Sequence, residues 1–141
     1  MFDVVVVGAD GSATAKRAVE AATEMAKMSG GILHIVTAYE PKSRQENYLP
    51  DAFRHLTTEG EIDTLLQDLS FIPKREGIEF KLHEVSGDPA EALINKATEL
   101  NADLIVVGNR GMRGARRVLG SVPNSVAHGA PCSVAIIDTS E

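Results

Sequence analysis

Short apolar runs alternate along the chain with segments whose apolar residues recur every three to four positions. Four apolar-rich runs have the length and the β-branched content of strands, namely Val4–Val7, Ile32–Ala38, Leu104–Val107 and Ser133–Ile137. A fifth segment, Glu79–Val85, alternates apolar with charged residues, as a strand does when one of its faces meets water. This alternation predicts an edge position for the fifth strand.

Helical periodicity fills the intervals between the strands. We expect the first helix to begin after Ser12 as its N-cap and to end at Gly30 and Gly31. The helical period returns from about Asp51, and we expect Pro73 and Gly77 to close that helix. Tyr39–Pro50, between the second strand and this helix, has no apolar period and is predicted to be a polar loop.

Two further helices follow the third and fourth strands. Asp88 is the expected N-cap of one of them, with Pro89 at its first position. A short helix is predicted from about Ser121 to His128. Together with the five strands, the four helices complete a repeated strand–helix pattern without any internal repeat or linker, so we predict a single domain over residues 1–141.

This alternation predicts an α/β fold: a doubly wound, Rossmann-like sheet of five mainly parallel strands with helices on both faces. Val4–Val7 and Leu104–Val107 are apolar throughout, as central strands are, which favours the strand order 3-2-1-4-5. Ligands of such sheets bind beyond the carboxyl ends of the strands, where the strand order reverses. The two loops at that point are Gly8–Ser12 and Gly108–Ser121.

The charge distribution points to the second of these loops. The whole chain carries a net charge of −6, which argues against a general DNA or membrane-surface binder. Between Asp103 and Asp138, however, there is no acidic residue, and the local charge is +4 against −10 for the rest of the chain. The positive charges are Arg110, Arg113, Arg116 and Arg117.

Other features of the composition restrict the function classes. An aromatic content of 4% without Trp argues against a base-stacking nucleic-acid platform. A single cysteine, Cys132, excludes an intrachain disulfide and a cysteine-based zinc site, and we expect its thiol to be buried and inert. We see no secretory signal and no apolar run of bilayer length, so we expect a cytoplasmic protein with no nucleic-acid and no membrane partner.

The arginine-rich loop also carries four glycines, at positions 108, 111, 114 and 120. Glycines let backbone N–H groups approach an anion, and the helix that opens after Gly120-Ser121 directs its free N–H groups outward. A phosphate site is one interpretation, and a solvated loop is the other. Asp10 similarly fits either a contact to a ribose hydroxyl or divalent cation, or an Asx-turn. The P-loop and dinucleotide motifs are both absent.

Several segments taken together resemble the universal stress protein family. They are VVVVGADGS at Val4–Ser12, His34, Gly87-Asp88-Pro89-Ala90, ADLIVVG at Ala102–Gly108, and GNRGMRGARRVLGSV at Gly108–Val122. The last segment resembles the glycine motif of the ATP-binding branch, with Gly108, Gly111, Gly120 and Ser121 at its fixed positions. Its spacer Met112–Leu119 has eight residues, whereas the usual motif has nine.

The resemblance implies roles for individual residues. The motif glycines and Ser121 are expected to hold the phosphates, next to Arg110 and Val122. Asp10 is expected near the ribose and, as the metal ligand, near Mg²⁺ or Mn²⁺. Gly8 and Ala9 are expected on the pocket floor, and the backbone around Ile35 is expected to meet the adenine edge.

The resemblance also implies an ATP-binding regulatory protein of the stress response. ATP is expected to act as a ligand and switch with at most slow hydrolysis, because we find no Walker lysine and no general base, and we name no catalytic residue. Three alternatives stay open: a cyclic-AMP-binding member, an enzyme that adenylates or phosphorylates a small substrate, and a dimeric interaction module that binds no nucleotide.

Two further expectations concern the partners and the histidines. The last strand, Ser133–Ile137, is apolar but lies at a predicted edge, so we expect a homodimer that covers it, as the family resemblance also implies. The downstream protein partner has no signature in the sequence. None of the four histidines has metal-ligand spacing, and His34 is expected to be a satisfied histidine of the core or the pocket wall.

Overall fold

The computed structural model describes residues 1–10, 15–39, 59–109 and 122–139. The strands are β1 (Val4–Gly8), β2 (Ile32–Tyr39), β3 (Phe80–Ser86), β4 (Leu104–Gly108) and β5 (Ser133–Ile137). The helices are α1 (Ala15–Ser29), α2 (Glu59–Arg75), α3 (Pro89–Leu100) and α4 (Val122–Gly129). Within these ranges, no helix is both long enough and apolar enough to cross a membrane.

The five strands form one sheet in the order β3-β2-β1-β4-β5, and all neighbouring strands are parallel. In the central pairings Val4 lies opposite Ile32, and Val5 lies opposite Leu104. The predicted fold class and strand order are therefore confirmed. The edge position predicted for the third strand is confirmed as well, since its charged residues Lys81 and Glu84 are exposed.

Each face of the sheet has its own hydrophobic core, because successive side chains of a strand point to opposite faces. Val5 and Val7 pack with α1 and α2 on one face. Val6 and Ile105 pack with residues of α3 and α4 on the other face. These central side chains are completely buried, which explains why the β1 and β4 segments are apolar at every position rather than at alternate ones.

The end of α2 differs from the prediction. Pro73 lies inside the helix, which continues to Arg75, so the prediction that Pro73 closes this helix was wrong. A proline removes only its own N–H donor, and the residues that follow it can still donate. Here the N–H of Glu76 donates to the carbonyl of Ile72 at 3.4 Å, and that of Gly77 donates to Lys74 at 3.1 Å. Gly77 then leaves the helix with a φ of +71°.

The start of α3 is as predicted. Asp88 is the N-cap, and its side chain accepts a hydrogen bond from the N–H of Glu91 at 3.1 Å. Pro89 takes the first helical position, where its missing N–H costs nothing. This cap fixes the direction in which α3 leaves β3 and crosses the sheet. Ser12 and the segment 40–50 lie outside the described residues.

Candidate functional site

A cavity of about 160 Å³ opens at the carboxyl ends of β1, β2 and β4, on the line where the strand order reverses. Its strand-side wall consists of the last residues of these strands and those directly after β1. The helix-side wall comes from the first turns of α1, α3 and α4. The lining residues are Gly8, Ala9, Asp10, Ala15, Ala18, Val36, Ala38, Pro89, Leu93, Val107, Gly108, Val122 and Pro123.

β1 and β4 end in glycine at the cavity, where other side chains pack directly on their backbones. A Cβ atom placed on Gly8 would lie 2.7 Å from Cδ1 of Leu93, so the leucine occupies the space that a side chain at position 8 would need. At Gly108 a Cβ atom would lie 2.9 Å from Cγ2 of Thr139. The two glycines therefore allow Leu93 and Thr139 to pack closely on strand ends that line the cavity.

Three helices begin at the cavity. Ala15 and Ala18 belong to the start of α1, Pro89 to that of α3, and Val122 and Pro123 to that of α4. The N-terminus of a helix carries a partial positive charge and N–H groups without a partner inside the helix. Asp88 already accepts from the N–H of Glu91 at the start of α3, so the starts of α1 and α4 are the ones that favour a ligand with an anionic group at its outer end.

Asp10 is the only charged residue among the described residues that line the cavity. It follows β1 by two positions and therefore lies at the rim rather than in the floor, and it is exposed. Its carboxylate suits a hydroxyl donor or a hard cation. In the described part of the chain no group of three histidine, cysteine, aspartate or glutamate side chains could hold a metal ion.

The structure brings five of the predicted site residues together. Gly8, Ala9 and Asp10 follow from the end of β1, while Gly108 and Val122 face them from the β4 side, and all five line the cavity. Ile35 does not line it. Its side chain is completely buried in the core beneath α1 and α2, so its expected backbone contact to adenine stays a prediction. Arg110, Gly111, Gly120 and Ser121 lie outside the described residues.

Several lining residues had no assigned role in the sequence prediction. Val36 and Ala38 flank the carboxyl end of β2, and Leu93 was assigned only to the buried face of its helix. Pro89 is the first residue of α3 and Pro123 the second residue of α4, and both line the cavity. The place of the two prolines at the cavity could have been predicted from the sequence. A proline at the start of a helix that follows a parallel strand lies at the edge of the sheet where ligands bind.

The sequence and fold of this chain are similar to those of known proteins. The family model of the universal stress protein family matches residues 1–138. This chain belongs to the universal stress protein family. The family resemblance inferred from the sequence is thus confirmed.

Relatives of similar length support the assignment to the universal stress proteins. Universal stress protein Rv1636 of Mycobacterium tuberculosis is 36% identical over 143 residues, with 98% of this chain and 97% of that protein covered. A universal stress protein of Thermus aquaticus is 33% identical over 144 residues, with 97% of this chain and 99% of that protein covered.

Solved structures of universal stress proteins share the fold. The crystal structure of a universal stress protein in complex with cAMP has a TM-score of 0.82 at 35% identity and covers 99% of this chain and 98% of its own. A universal stress protein from Archaeoglobus fulgidus in complex with dAMP has a TM-score of 0.70 at 23% identity, with 97% and 98% covered. At that identity the second similarity concerns the fold alone.

Outside the cavity, this universal stress protein holds a pair of histidines between β2 and β3. His34 is buried and its Nδ1 lies 2.8 Å from Nε2 of His83, so one ring nitrogen donates to the other. This confirms that His34 is a satisfied core histidine. Burial, as the largest cause, together with the nearby His83, Lys81 and Lys96 lowers the pKa of His34 to about 4. Both rings are thus neutral at pH 7.

The thiol of Cys132 is less enclosed than expected. The residue is partly exposed rather than buried, because β5 is an edge strand and Cys132 lies just before its start. Partial burial raises the pKa of the thiol, with a smaller contribution from Asp103. A raised pKa keeps the thiol protonated at neutral pH, which fits the expected lack of reactivity.

Proposed function

We propose that this universal stress protein binds an adenine nucleotide in the cavity at the carboxyl ends of β1, β2 and β4. The observation that carries the proposal is the meeting of Asp10, Gly8 and Gly108 at an apolar cavity on which three helix N-termini converge. A similar protein of 35% identity is known in complex with cAMP, which supports the same ligand class.

The chemistry of the cavity suits the three parts of a nucleotide. The apolar inner walls, with Val36, Ala38 and Leu93, suit the flat base, whose burial from water provides most of the binding energy. The Asp10 carboxylate at the rim suits a ribose hydroxyl. The start of α4 and the glycine- and arginine-rich segment that precedes it suit the phosphates.

ATP is the nucleotide we propose first. Four arginines between positions 110 and 117 are enough positive charge for a chain of several phosphates, and the glycine motif of the ATP-binding branch is present in the sequence. Cyclic AMP is the second candidate, because the similar structure with a TM-score of 0.82 is a complex with cAMP. The two nucleotides differ mainly in the number of phosphates that the outer part of the site must hold.

A divalent cation fits this site only as a companion of the nucleotide. Mg²⁺ prefers oxygen ligands and is often held by one or two carboxylates together with phosphate oxygens. Asp10 supplies one carboxylate, and the nucleotide would supply the phosphates. When bound, the cation would neutralise phosphate charge. Asp10 for its part would orient the nucleotide through the ribose or the cation.

We further propose that the nucleotide acts as a regulatory ligand in a stress response rather than as a substrate in turnover. In the described lining Asp10 is the only side chain that could act as a general base, and no histidine, lysine or cysteine lies there to act as a nucleophile or a second base. Binding that orders the cavity rim would change the surface offered to a downstream protein. A cytoplasmic location remains our prediction.

We also propose that the protein forms a homodimer through β5. β5 ends the sheet, and Ile136 on it is 39% exposed, as expected for an apolar edge that a second copy covers. Light scattering at micromolar protein concentration is expected to give the mass of a dimer. A monomer under these conditions would count against this part of the proposal.

The nucleotide can be identified by mass spectrometry of what co-purifies with the folded protein, followed by calorimetry with ATP and with cAMP. We expect Asp10→Asn to weaken binding of ATP in the presence of Mg²⁺ more than binding in its absence. Asp68→Asn, on the exposed side of α2, is the matched control. Failure of the wild-type protein to bind ATP, cAMP and AMP would overturn the proposal.

A further inference from the structure

The end of β4 is tied to the segment that follows β5. Gly108 pairs with Ile137 in the sheet, and the N–H of Asn109 donates to the carbonyl of Ile137 at 2.8 Å. Beyond both strands, the Oδ1 of Asn109 accepts from the N–H and from the Oγ1 of Thr139, each at 3.0 Å. Its Nδ2 donates to Oδ1 of Asp138 at 3.1 Å. We call Asn109, Asp138 and Thr139 the C-terminal clamp.

The hydrogen-bond partners fix the orientation of the Asn109 amide. The backbone N–H of Thr139 can only donate, so it must face the amide oxygen. The carboxylate of Asp138 accepts, so it faces the amide nitrogen. Asparagine can meet both demands because it carries a donor and an acceptor on one planar group, whereas an aspartate at this position would face Asp138 with a like charge.

Thr139 connects this clamp to the cavity. It is 3% exposed although it lies two residues past the end of the edge strand. Its hydroxyl is held by Asn109, and its methyl group occupies the space above Gly108, where a Cβ atom would lie only 2.9 Å away. Gly108 itself lines the cavity, whereas Asn109 and Thr139 do not.

From this arrangement, and resting on the proposed nucleotide site, we infer that Asn109 and Thr139 are positioning residues for the phosphate part of the nucleotide. They fix the backbone of Gly108, which lines the cavity at the end of β4. Contacts to phosphate depend on short, well-aligned donors. A site whose backbone is already held in place therefore binds phosphate more tightly than one whose backbone must be fixed on binding. The base, which contacts other walls, is much less affected.

Four variants separate the parts of the clamp. Thr139→Val removes the hydroxyl but keeps the shape, whereas Thr139→Ser keeps the hydroxyl and removes the methyl above Gly108. Asn109→Asp keeps the acceptor for Thr139 but sets two carboxylates against each other. The double variant Asn109→Asp with Asp138→Asn restores a donor–acceptor pair with the roles exchanged.

The control for these variants is Thr98→Val. The hydroxyl of Thr98 donates to the carbonyl of Ile94 at 2.8 Å near the end of α3, so the same chemical change is made far from the clamp. Thermal unfolding and circular dichroism of every variant show whether the fold is retained. If Thr139→Val is unfolded at the titration temperature, Asn109→Asp and the double variant carry the test, because they leave the buried methyl group of Thr139 in place.

The test is calorimetry of the full chain with ATP, cAMP and adenosine. We expect Thr139→Val and Asn109→Asp to weaken ATP and cAMP binding about tenfold, and adenosine binding by less than about twofold. The double variant is expected to regain most of the nucleotide affinity, and Thr98→Val to behave as the wild type.

Two results would overturn the inference. One is an equal loss for adenosine and for the nucleotides, which would mean a general structural role. The other is unchanged nucleotide affinity in Thr139→Val and Asn109→Asp. Either result leaves the proposed function standing as long as the wild type binds ATP or cAMP. A wild type that binds neither nucleotide would overturn the proposed function together with this inference.

Discussion

The imidazole rings of His34 and His83 are hydrogen-bonded and stacked, with their centroids 5.1 Å apart and an angle of 25° between their planes. The pair joins the second strand to the edge strand of the sheet. Lys81 from β3 and Lys96 and Glu99 from α3 are the charged groups nearby. Burial and the lysines lower the pKa of both histidines, so the folded protein resists their protonation.

This pair is expected to make the protein less stable in mild acid. Because the pKa of His34 falls from 6.5 to about 4 on folding, the unfolded chain binds a proton between these values that the folded chain does not. Stability is therefore lost as the pH falls from about 7 towards 4. In His34→Gln we expect this loss between pH 7 and pH 5 to be smaller by about 1 kcal/mol, measured by urea unfolding at both pH values. Parallel pH profiles of the two proteins would contradict this.

Asp103 holds the amino-terminal end of β1. Its Oδ2 accepts hydrogen bonds from the N–H groups of Asp3 and Val4 at 3.0 and 2.9 Å, and its own N–H donates to the Val4 carbonyl at 2.8 Å. We expect Asp103→Ala to lower the free energy of unfolding by about 2 kcal/mol, since a charged acceptor is removed from two donors. Asp68→Ala, at an exposed position of α2, should change it by less than about 0.5 kcal/mol. A similar small change in Asp103→Ala would show that water replaces the carboxylate without loss.

Gly31 is required because the backbone just before β1 passes directly over it. A Cβ atom there would collide with the carbonyl oxygen of Phe2 and lie 2.8 Å from that of Asp3, which accepts from the N–H of Ile32. Gly31→Ala is expected to cost about 3 kcal/mol in chemical unfolding, because backbone must move. Gly30→Ala is the neighbouring control, with a φ of +67° but open space, and is expected to cost about 1 kcal/mol. A smaller cost at Gly31 than at Gly30 would refute the argument from the close approach.

Ala38 tests the inner part of the cavity. A leucine at this position would extend into the space between β2 and α3 that we assign to the base. We expect Ala38→Leu to weaken binding of adenosine and of ATP by a similar factor, at least about tenfold, in calorimetry. This pattern differs from that expected for the clamp variants, which spare adenosine. Ala127→Leu, on the exposed side of α4, makes the same change outside the cavity and should leave both affinities unchanged.

The sequence predicted a strand or a helix end correctly where one local property of its residues determines it. The charged Glu79 and Lys81 alternate with apolar neighbours, and this alone predicted an edge position for their strand. Asp88 and Pro89 marked the start of α3 for local reasons of hydrogen bonding and backbone angle. Pro73 misled the prediction because a proline near the end of a helix bends or weakens it but does not have to stop it.

Contacts across the chain were not predictable in this way. His34 and His83 are 49 residues apart, and Asn109 and Thr139 are 30 residues apart. No periodic pattern in the sequence therefore indicates that either pair is in contact. Leu93 was predicted to be buried, but only the crossing of α3 over Gly8 makes it a wall of the cavity. Val36 rather than Ile35 faces the cavity, because the two alternate between the faces of β2 and the sheet itself decides which face is which.

The sequence by itself determined the strand–helix order, the central and edge strands and the family. These properties follow from hydrophobic periodicity, local backbone preferences and short motifs, all of which depend on residues that are close together in the sequence. The role of its glycines and arginines in a phosphate site stays a prediction. Only the tertiary structure decided which side chains enclose the cavity and which polar groups meet across β2–β3 and β4–β5. Those contacts depend on strand register and helix crossing, which are set by the packing of the whole core.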